Sequence, residues 1–405
     1  MTIGNDARSC TTRGDLRTPS GDLQALCEHF DVAVIGAGPA GAAAAIAAAR
    51  AGARVLLVDR ATFPRPKVCG SCLAASGVRV LEALGAESAI RAAAPLRSIR
   101  IDAAGRSLAI PRATGVAIGR AELDASLVEI AREAGVEVRL SVSARVVERG
   151  AASSTRIELF DGGAAGARPE LVATTTAIVA DGLAGSALDG VTGFDWRVAR
   201  ANRMGIGAIV PARAISADEL PDGEIRLCVS RGGYVGLVRL ASGEIDVAAA
   251  VDPRELRRHG SAAACAIALL GRLAREPALL VDARWRGTPL LTRRRHRVAA
   301  DGILVVGDAA GYVEPFTGEG MSWGLVAGRA AGDLAARSPA PHRAWPRLVR
   351  QLVGPARLRC RAISLLLRSP ELAGLVLAAG ERIPRPFERL AAAVGGVGGF
   401  GGGGA

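Results

Sequence analysis

Asp31-Val-Ala-Val-Ile-Gly36-Ala-Gly38-Pro39-Ala40-Gly41, running on through Ala-rich sequence to Val55-Leu-Leu-Val-Asp59-Arg60, is the stretch on which the reading of this 405-residue chain turns. Asp31 to Ile35 is a short β-branched run of the kind that forms a buried strand. Three glycines follow at G-x-G-x-x-G spacing, and Ala42 to Ala51 is strong helix-former sequence. A second apolar run, Val55 to Val58, ends in the acidic Asp59. Strand, turn, helix, strand and acid in this order form the dinucleotide-binding fingerprint in its full context. Gly36 permits the tight turn, Gly38 lets backbone approach a pyrophosphate, and Gly41 lets helix and strand pack closely. Pro39 and Ala40 open the helix whose free N–H groups face that pyrophosphate. Asp59 is placed to accept from the hydroxyls of an adenosine ribose, with Arg60 beside it.

A bland reading competes. Val32 to Ala49 carries no charge, a length that meets the threshold for a membrane span. Its Gly and Pro residues cluster at the predicted strand–helix turn, however, and Asp31 and Arg50 flank it closely, which a buried βαβ unit explains better. Composition adds bounds. The apolar fraction of 50% is ordinary for a globular chain. The formal charge of +12 is carried by 50 Arg and a single Lys, Lys67. That imbalance, with so much Ala and Gly, reads as genome base composition, although it permits an anionic partner. Aromatics at 3% leave few stacking platforms, which argues against nucleic acid. Seven scattered cysteines, odd in number, form no secreted framework. Met1 to Phe30 has no apolar signal-peptide core and reads as a disordered leader. The expected setting is a reducing cytoplasm, with weak peripheral membrane contact left open.

After Asp59 comes a loop punctuated by Pro and Gly, Phe63-Pro-Arg65-Pro-Lys67-Val-Cys69-Gly70-Ser-Cys72-Leu73. Its C-x-x-C has no second pair, and the four histidines lie at no metal spacing from it, so no metal site is expected. A later strand ends in Asp181-Gly182. From about 195 to 285 short alternating strands follow one another between Asp-Gly, Gly-Gly and Ser-Gly turns, which reads as an inserted antiparallel sheet. Ile303 to Val306 then meets Gly307-Asp308-Ala-Ala-Gly311, and Gly318-Glu-Gly320-Met321 opens another helix. The expected fold is α/β: a Rossmann-type cofactor domain with an inserted antiparallel substrate sheet and a helical C-terminal segment. Its expected parts are a leader (1–30), cofactor domain (31–190 and 286–340), sheet domain (191–285), helical segment (341–394) and Gly-rich tail (395–405).

The three Gly-rich motifs in this order, with Pro64-Arg-Pro-Lys67-Val-Cys69-Gly70 and Pro315-Phe-Thr-Gly318-Glu-Gly320-Met321, resemble the FAD-dependent oxidoreductases of the p-hydroxybenzoate-hydroxylase fold. Within these the chain is most similar to the geranylgeranyl-reductase-like flavoproteins. The resemblance implies FAD as cofactor, its ADP half held by Gly36, Gly38, Gly41 and Asp59. It implies Arg120 beside the pyrophosphate and ribityl chain, Asp308 on the ribityl hydroxyls, and Gly318 to Met321 at the flavin edge. Lys67, Cys69, Gly70, Asp181 and Gly307 join the cofactor set, and Cys69 and Tyr234 are the candidate catalytic residues. In the substrate strand Gly233–Arg239, Tyr234 matches the reductases and Gly236 replaces their Trp. The implied activity is C=C reduction, or related flavin redox chemistry, on a lipophilic small molecule. A monooxygenase acting on an aromatic or polyketide-type substrate is the alternative, and an electron-transfer flavoprotein stands behind both. Electrons are expected from NAD(P)H or from a reductase or ferredoxin. The tryptophan motif of flavin halogenases is absent. The Arg/Leu-rich stretch from Arg357 to Leu377 suits a helix docked over the cofactor domain, its Arg stems covering the apolar face, better than a helix lying at a membrane interface, because Pro370 and Pro384 break it into short pieces. Weak, salt-sensitive membrane contact is expected all the same, with FAD binding retained on truncation after Pro355.

Overall fold

The computed structural model describes residues 28–111, 115–149, 154–161, 168–314 and 319–383. The fingerprint strand extends from Glu28 to Ile35, so it begins inside the stretch read as a leader. It lies at the centre of a largely parallel sheet. Val55–Asp59 and then Glu137–Leu140 pair on one side of it, and Glu170–Val179 and Ile303–Val305 on the other. Strands buried on both faces need near-continuous apolar sequence, which Val55–Val58 and Ile303–Val305 supply.

The helix Pro39–Arg50 packs along the helix Gly320–Arg337 through a four-residue glycine period, Gly324, Gly328 and Gly332. A Cβ on Gly328 would stand 2.0 Å from the Ala40 carbonyl oxygen, and one on Gly332 2.1 Å from that of Ala44. Backbone-to-backbone contact of this kind fixes the N-terminus of the second helix beside the first glycine turn.

The second sheet has seven strands, ordered Arg286–Leu290, Met204–Val210, Ile245–Val251, Gly233–Arg239, Glu224–Ser230, Ser98–Ala103 and Arg106–Pro111. It is therefore not confined to 191–285. The hairpin Ser98–Pro111 joins its edge by parallel pairing of Ser98–Ala103 with Glu224–Ser230, and Arg286–Leu290 closes the other edge. One face packs on its own core with the helix Ala262–Leu270. On the other face, register brings small residues into line: Ala248 opposes both Gly207 and Gly236, and Ala250 opposes Gly205 and Tyr234.

The chain returns through the helices Pro341–Leu366 and Pro370–Arg382. The first is anchored by fully buried Trp345, whose Nε1–H donates to the Val305 carbonyl at 3.1 Å. Among the described residues no single helix is long and apolar enough to cross a membrane.

Candidate functional site

Both sheets contribute to one cavity of about 390 Å³. The turns at the ends of the parallel strands form one wall, and the small-residue face of the seven-stranded sheet forms the other. At the nucleotide end, Gly36 has φ of +103°, and a Cβ there would meet the Ala180 carbonyl oxygen at 2.5 Å. A Cβ on Gly41 would fall 1.8 Å from the Gly36 carbonyl, so the turn closes only with glycine at both places. Asp59 pins this turn from the next strand. Its Oδ2 accepts from the Ala37 N–H at 2.8 Å and its Oδ1 from the Ala61 N–H at 2.9 Å. Gly38, Pro39, Ala40 and Arg60 line the cavity as expected, whereas Gly41 stands behind it as a packing residue.

Arg120 opens its helix and holds the buried Asp124 one turn on through two hydrogen bonds of 2.9 and 2.8 Å. Arg65 bridges the same carboxylate at 3.5 Å and Asp59 at 3.6 Å. The nearest side-chain atoms to a Cβ on Gly38 are the Nη2 atoms of Arg120 and Arg65, at 3.5 and 3.7 Å. Two guanidiniums therefore flank the glycine turn where a diphosphate would lie. Arg65 and Asp124 were not singled out from sequence; the i,i+4 spacing of Arg120 and Asp124 was the available signal.

Lys67 enters the middle of the cavity, its Nζ 3.3 Å from where a Cβ on Gly182 would be. Burial pushes its pKa down, Arg120 and Arg65 add to that, and Asp308 opposes it. Burial pushes the Asp308 carboxyl up, against the pull of Lys67, Arg120 and Arg357. Asp181 lines the wall, but its Oδ2 accepts from the Ala187 N–H at 2.9 Å, which ties the carboxylate to its own loop. Gly70, Gly307, Gly320 and Met321 line the cavity. Gly318 lies outside the described residues.

Arg357 ties the C-terminal segment to the cofactor domain, as the docked-helix reading has it, but reaches into the wall of the site rather than lying over its surface. Helix rotation turns it inward, where it donates to the Gly311 carbonyl at 2.9 Å and lines a small cavity with Asp308 and Tyr312. Cys360 and Leu367 are buried in the core as well. The segment is thus built into the wall behind the Gly-Asp motif.

At the sheet end, Cys69, Tyr234, Tyr312, Gly236 and Ala248 line the cavity. Burial, the largest influence, pushes the Cys69 thiol up, so it stays neutral. The Cys72 thiol donates to the Gly70 carbonyl at 2.9 Å. Among the described residues no cluster of His, Cys, Asp or Glu suits a metal. Tyr234 packs under the Arg203 guanidinium, 5.6 Å from its ring centroid, with Glu314 alongside. Arg203 bonds Glu314 at 2.9 Å in a buried pair. Behind the Cys69 loop, the Ser71 hydroxyl donates to the buried Asp246 carboxyl, whose pKa burial raises to about 7.

These residues fit FAD. A glycine cradle closed to any Cβ, an acid at the second strand's end and paired guanidiniums over Gly38 form a diphosphate and ribose seat, and the apolar end can take a flat ring. The family model described as an FAD binding domain matches residues 29–326. The chain belongs to this family of FAD-dependent oxidoreductases. It is 32% identical over 362 residues to a menaquinone reductase of Mycolicibacterium smegmatis, covering 84% of this chain and 85% of that protein. It is 30% identical to digeranylgeranylglycerophospholipid reductase 2 of Methanopyrus kandleri, covering 76% of this chain and 78% of the other. A solved flavin-dependent brominase, a triple mutant, superposes with a TM-score of 0.74 at 19% identity, covering 91% of this chain and 94% of that one. At that identity the likeness is one of fold. The enzyme uses FAD, and the geranylgeranyl-reductase-like resemblance holds.

Proposed function

We propose that the enzyme reduces a carbon–carbon double bond in a polyprenyl-bearing lipid, with a prenylated quinone of the menaquinone kind as the leading substrate class. The observation that carries this reading is the cavity's sheet face. Gly205, Gly236, Ala248 and Ala250 leave it flat and apolar, and Leu227 and Tyr234 edge it. Such a surface suits an isoprenoid chain or fused ring and offers a polar substrate little. The names of the menaquinone and digeranylgeranylglycerophospholipid reductases support the same class.

Bound FAD supplies the two-electron chemistry. The chain's residues do the rest. Asp59 fixes the glycine turn and retains acceptor capacity for the ribose, and Arg120 and Arg65 face the diphosphate. Asp308 and the amides of Gly320 and Met321 hold the remainder of the cofactor. Burial pushes Tyr234 and Tyr312 well above the usual phenol range, so both line the cavity as neutral phenols. Tyr234 is the proton-bearing group assigned to the substrate, and Arg203 with Glu314 holds it in place. Cys69, a neutral thiol, acts as a small wall residue. Electrons reach the site from NAD(P)H or from a partner reductase or ferredoxin.

Turnover with menaquinone in detergent under anaerobic dithionite tests the reading. The extracted lipid, returned to air so that its ring is oxidised, should keep a gain of two hydrogens in its side chain. Tyr234→Phe should slow this by about 100-fold or more with flavin retained. Lipid recovered unchanged, with oxygen inserted into an aromatic compound in air, would assign the monooxygenase reaction instead.

A further inference from the structure

Exposed large apolar side chains are not spread evenly over the described surface. Six of the twelve lie between Leu358 and Ile383, which marks that region for attention, since scattered single exposures are ordinary. Leu358 and Leu365 stand 71% and 60% exposed, seven residues apart and therefore on one face of their helix. Leu372, Leu375 and Val376 share one face of the next helix, with Leu375 66% exposed, and exposed Ile383 caps its end. The two helices are bent by 110° relative to each other. Their inner faces are filled: Leu367, Ala373 and Leu377 pack in the cluster that contains Tyr234 and Leu183. The outer apolar face therefore lies one helix thickness from the substrate end of the cavity.

Charge decides what covers this face. Residues 341–383 hold eight arginines and two glutamates. Both glutamates are taken up by arginines from elsewhere, Glu371 by Arg231 at 2.8 Å and Glu381 by Arg106 at 3.3 Å. Arg350, Arg361 and Arg382 are exposed. A second copy of a chain with net charge +12 would bring the same arginines against these, whereas an anionic bilayer neutralises them while taking up the leucines.

We propose that the outer face of the elbow formed by Pro341–Leu366 and Pro370–Arg382 docks on the surface of an anionic lipid bilayer. The helices lie in the interface plane, and the cavity's Tyr234 end faces the membrane side. The route this gives a bilayer-dissolved substrate rests on the lipophilic-substrate reading. The docking does not, and its test is read without substrate, so either can fail alone.

The test is flotation of the full-length, FAD-loaded protein with vesicles of phosphatidylcholine alone or with about one-third phosphatidylglycerol. The protein should float with the anionic vesicles at low salt and lose most of that binding at high salt. Leu365→Asp combined with Leu375→Asp should reduce flotation by about tenfold or more. Both positions are exposed, so flavin content and melting temperature should match the unsubstituted protein. Arg361→Glu should weaken binding to anionic vesicles alone. No flotation at low salt, or equal flotation of the doubly substituted protein, would overturn the proposal. So would a concentration-dependent dimer in vesicle-free buffer that the two substitutions dissolve, since the face would then belong to a second copy.

Discussion

Replacing Asp246 by Asn should make the protein more stable at pH 8 and leave it almost unchanged near pH 4. Asp246 sits within the strand Ile245–Val251, opposite Val238 on one side and Ile209 on the other. It is 5% exposed, and its hydrogen-bond donor is the Ser71 hydroxyl. Burial raises its pKa to about 7, against about 3.9 for an unfolded aspartate. The folded state thus binds the proton more tightly. The carboxyl's contribution to stability is fully present below about pH 4 and is lost as pH rises through about 7. The shift spans about 3 pH units at roughly 1.4 kcal/mol each, so about 4 kcal/mol of stability disappears between those limits. Asn is neutral throughout and still accepts from Ser71 through its carbonyl oxygen. Urea unfolding of FAD-loaded protein at pH 4, 5, 6, 7 and 8 measures the difference directly. The gap in favour of Asp246→Asn should open from near zero to as much as about 4 kcal/mol by pH 8. A difference that does not change with pH would refute the argument, because it would mean that burial leaves this carboxyl unperturbed.

Other substitutions probe the cavity. A Cβ on Gly236 would already lie 3.1 Å from the Leu227 Cδ2, so Gly236→Trp should fill the sheet end and abolish turnover with flavin content unchanged; full activity would show that the substrate lies elsewhere. Asp308→Ala should weaken FAD retention by about 10- to 100-fold. Asp59→Asn should cost less, because one of its two backbone acceptor contacts survives; gel filtration followed by flavin absorbance ranks the two. Truncation after Pro355 should lose flavin, since it removes inward-facing Arg357 and buried Cys360. A truncated protein that kept its FAD would show that those contacts are dispensable.

What was legible in the sequence is what local chemistry decides. The first βαβ unit could be read because its strand, turn, helix and acid are contiguous, and each glycine answers a contact made within that unit or with its immediate neighbour. The strands of the second sheet could be read from alternation and Asp-Gly turns. Its edge could not: Ser98–Ala103 pairs in parallel with Glu224–Ser230 across more than a hundred residues of intervening chain, and nothing in a local pattern announces a partner so distant. The inward turn of Arg357 was not legible because it depends on which way a long helix is rotated, and alternating Arg and Leu suits either choice. The Gly324, Gly328 and Gly332 period was visible, but its meaning lies in Ala40 and Ala44 of the facing helix. Asp246 was missed because a polar residue in an alternating strand reads as solvent-facing. Here the Cys69 loop covers it instead. Lys67 drew notice as the chain's one lysine, and the structure sets it among Arg65, Arg120 and Asp308.

The central claim, that the reduced cofactor delivers its electrons to a prenyl lipid, is tested most directly by anaerobic single turnover. Enzyme reduced with one equivalent of dithionite is mixed with menaquinone in detergent, flavin absorbance is followed, and the lipid is extracted into air for mass analysis. The account predicts return of the oxidised-flavin spectrum at a rate that saturates with lipid concentration, with one side-chain double bond saturated per flavin reoxidised. Flavin that stays reduced until oxygen is admitted, or that reoxidises with the side chain unchanged, would contradict it.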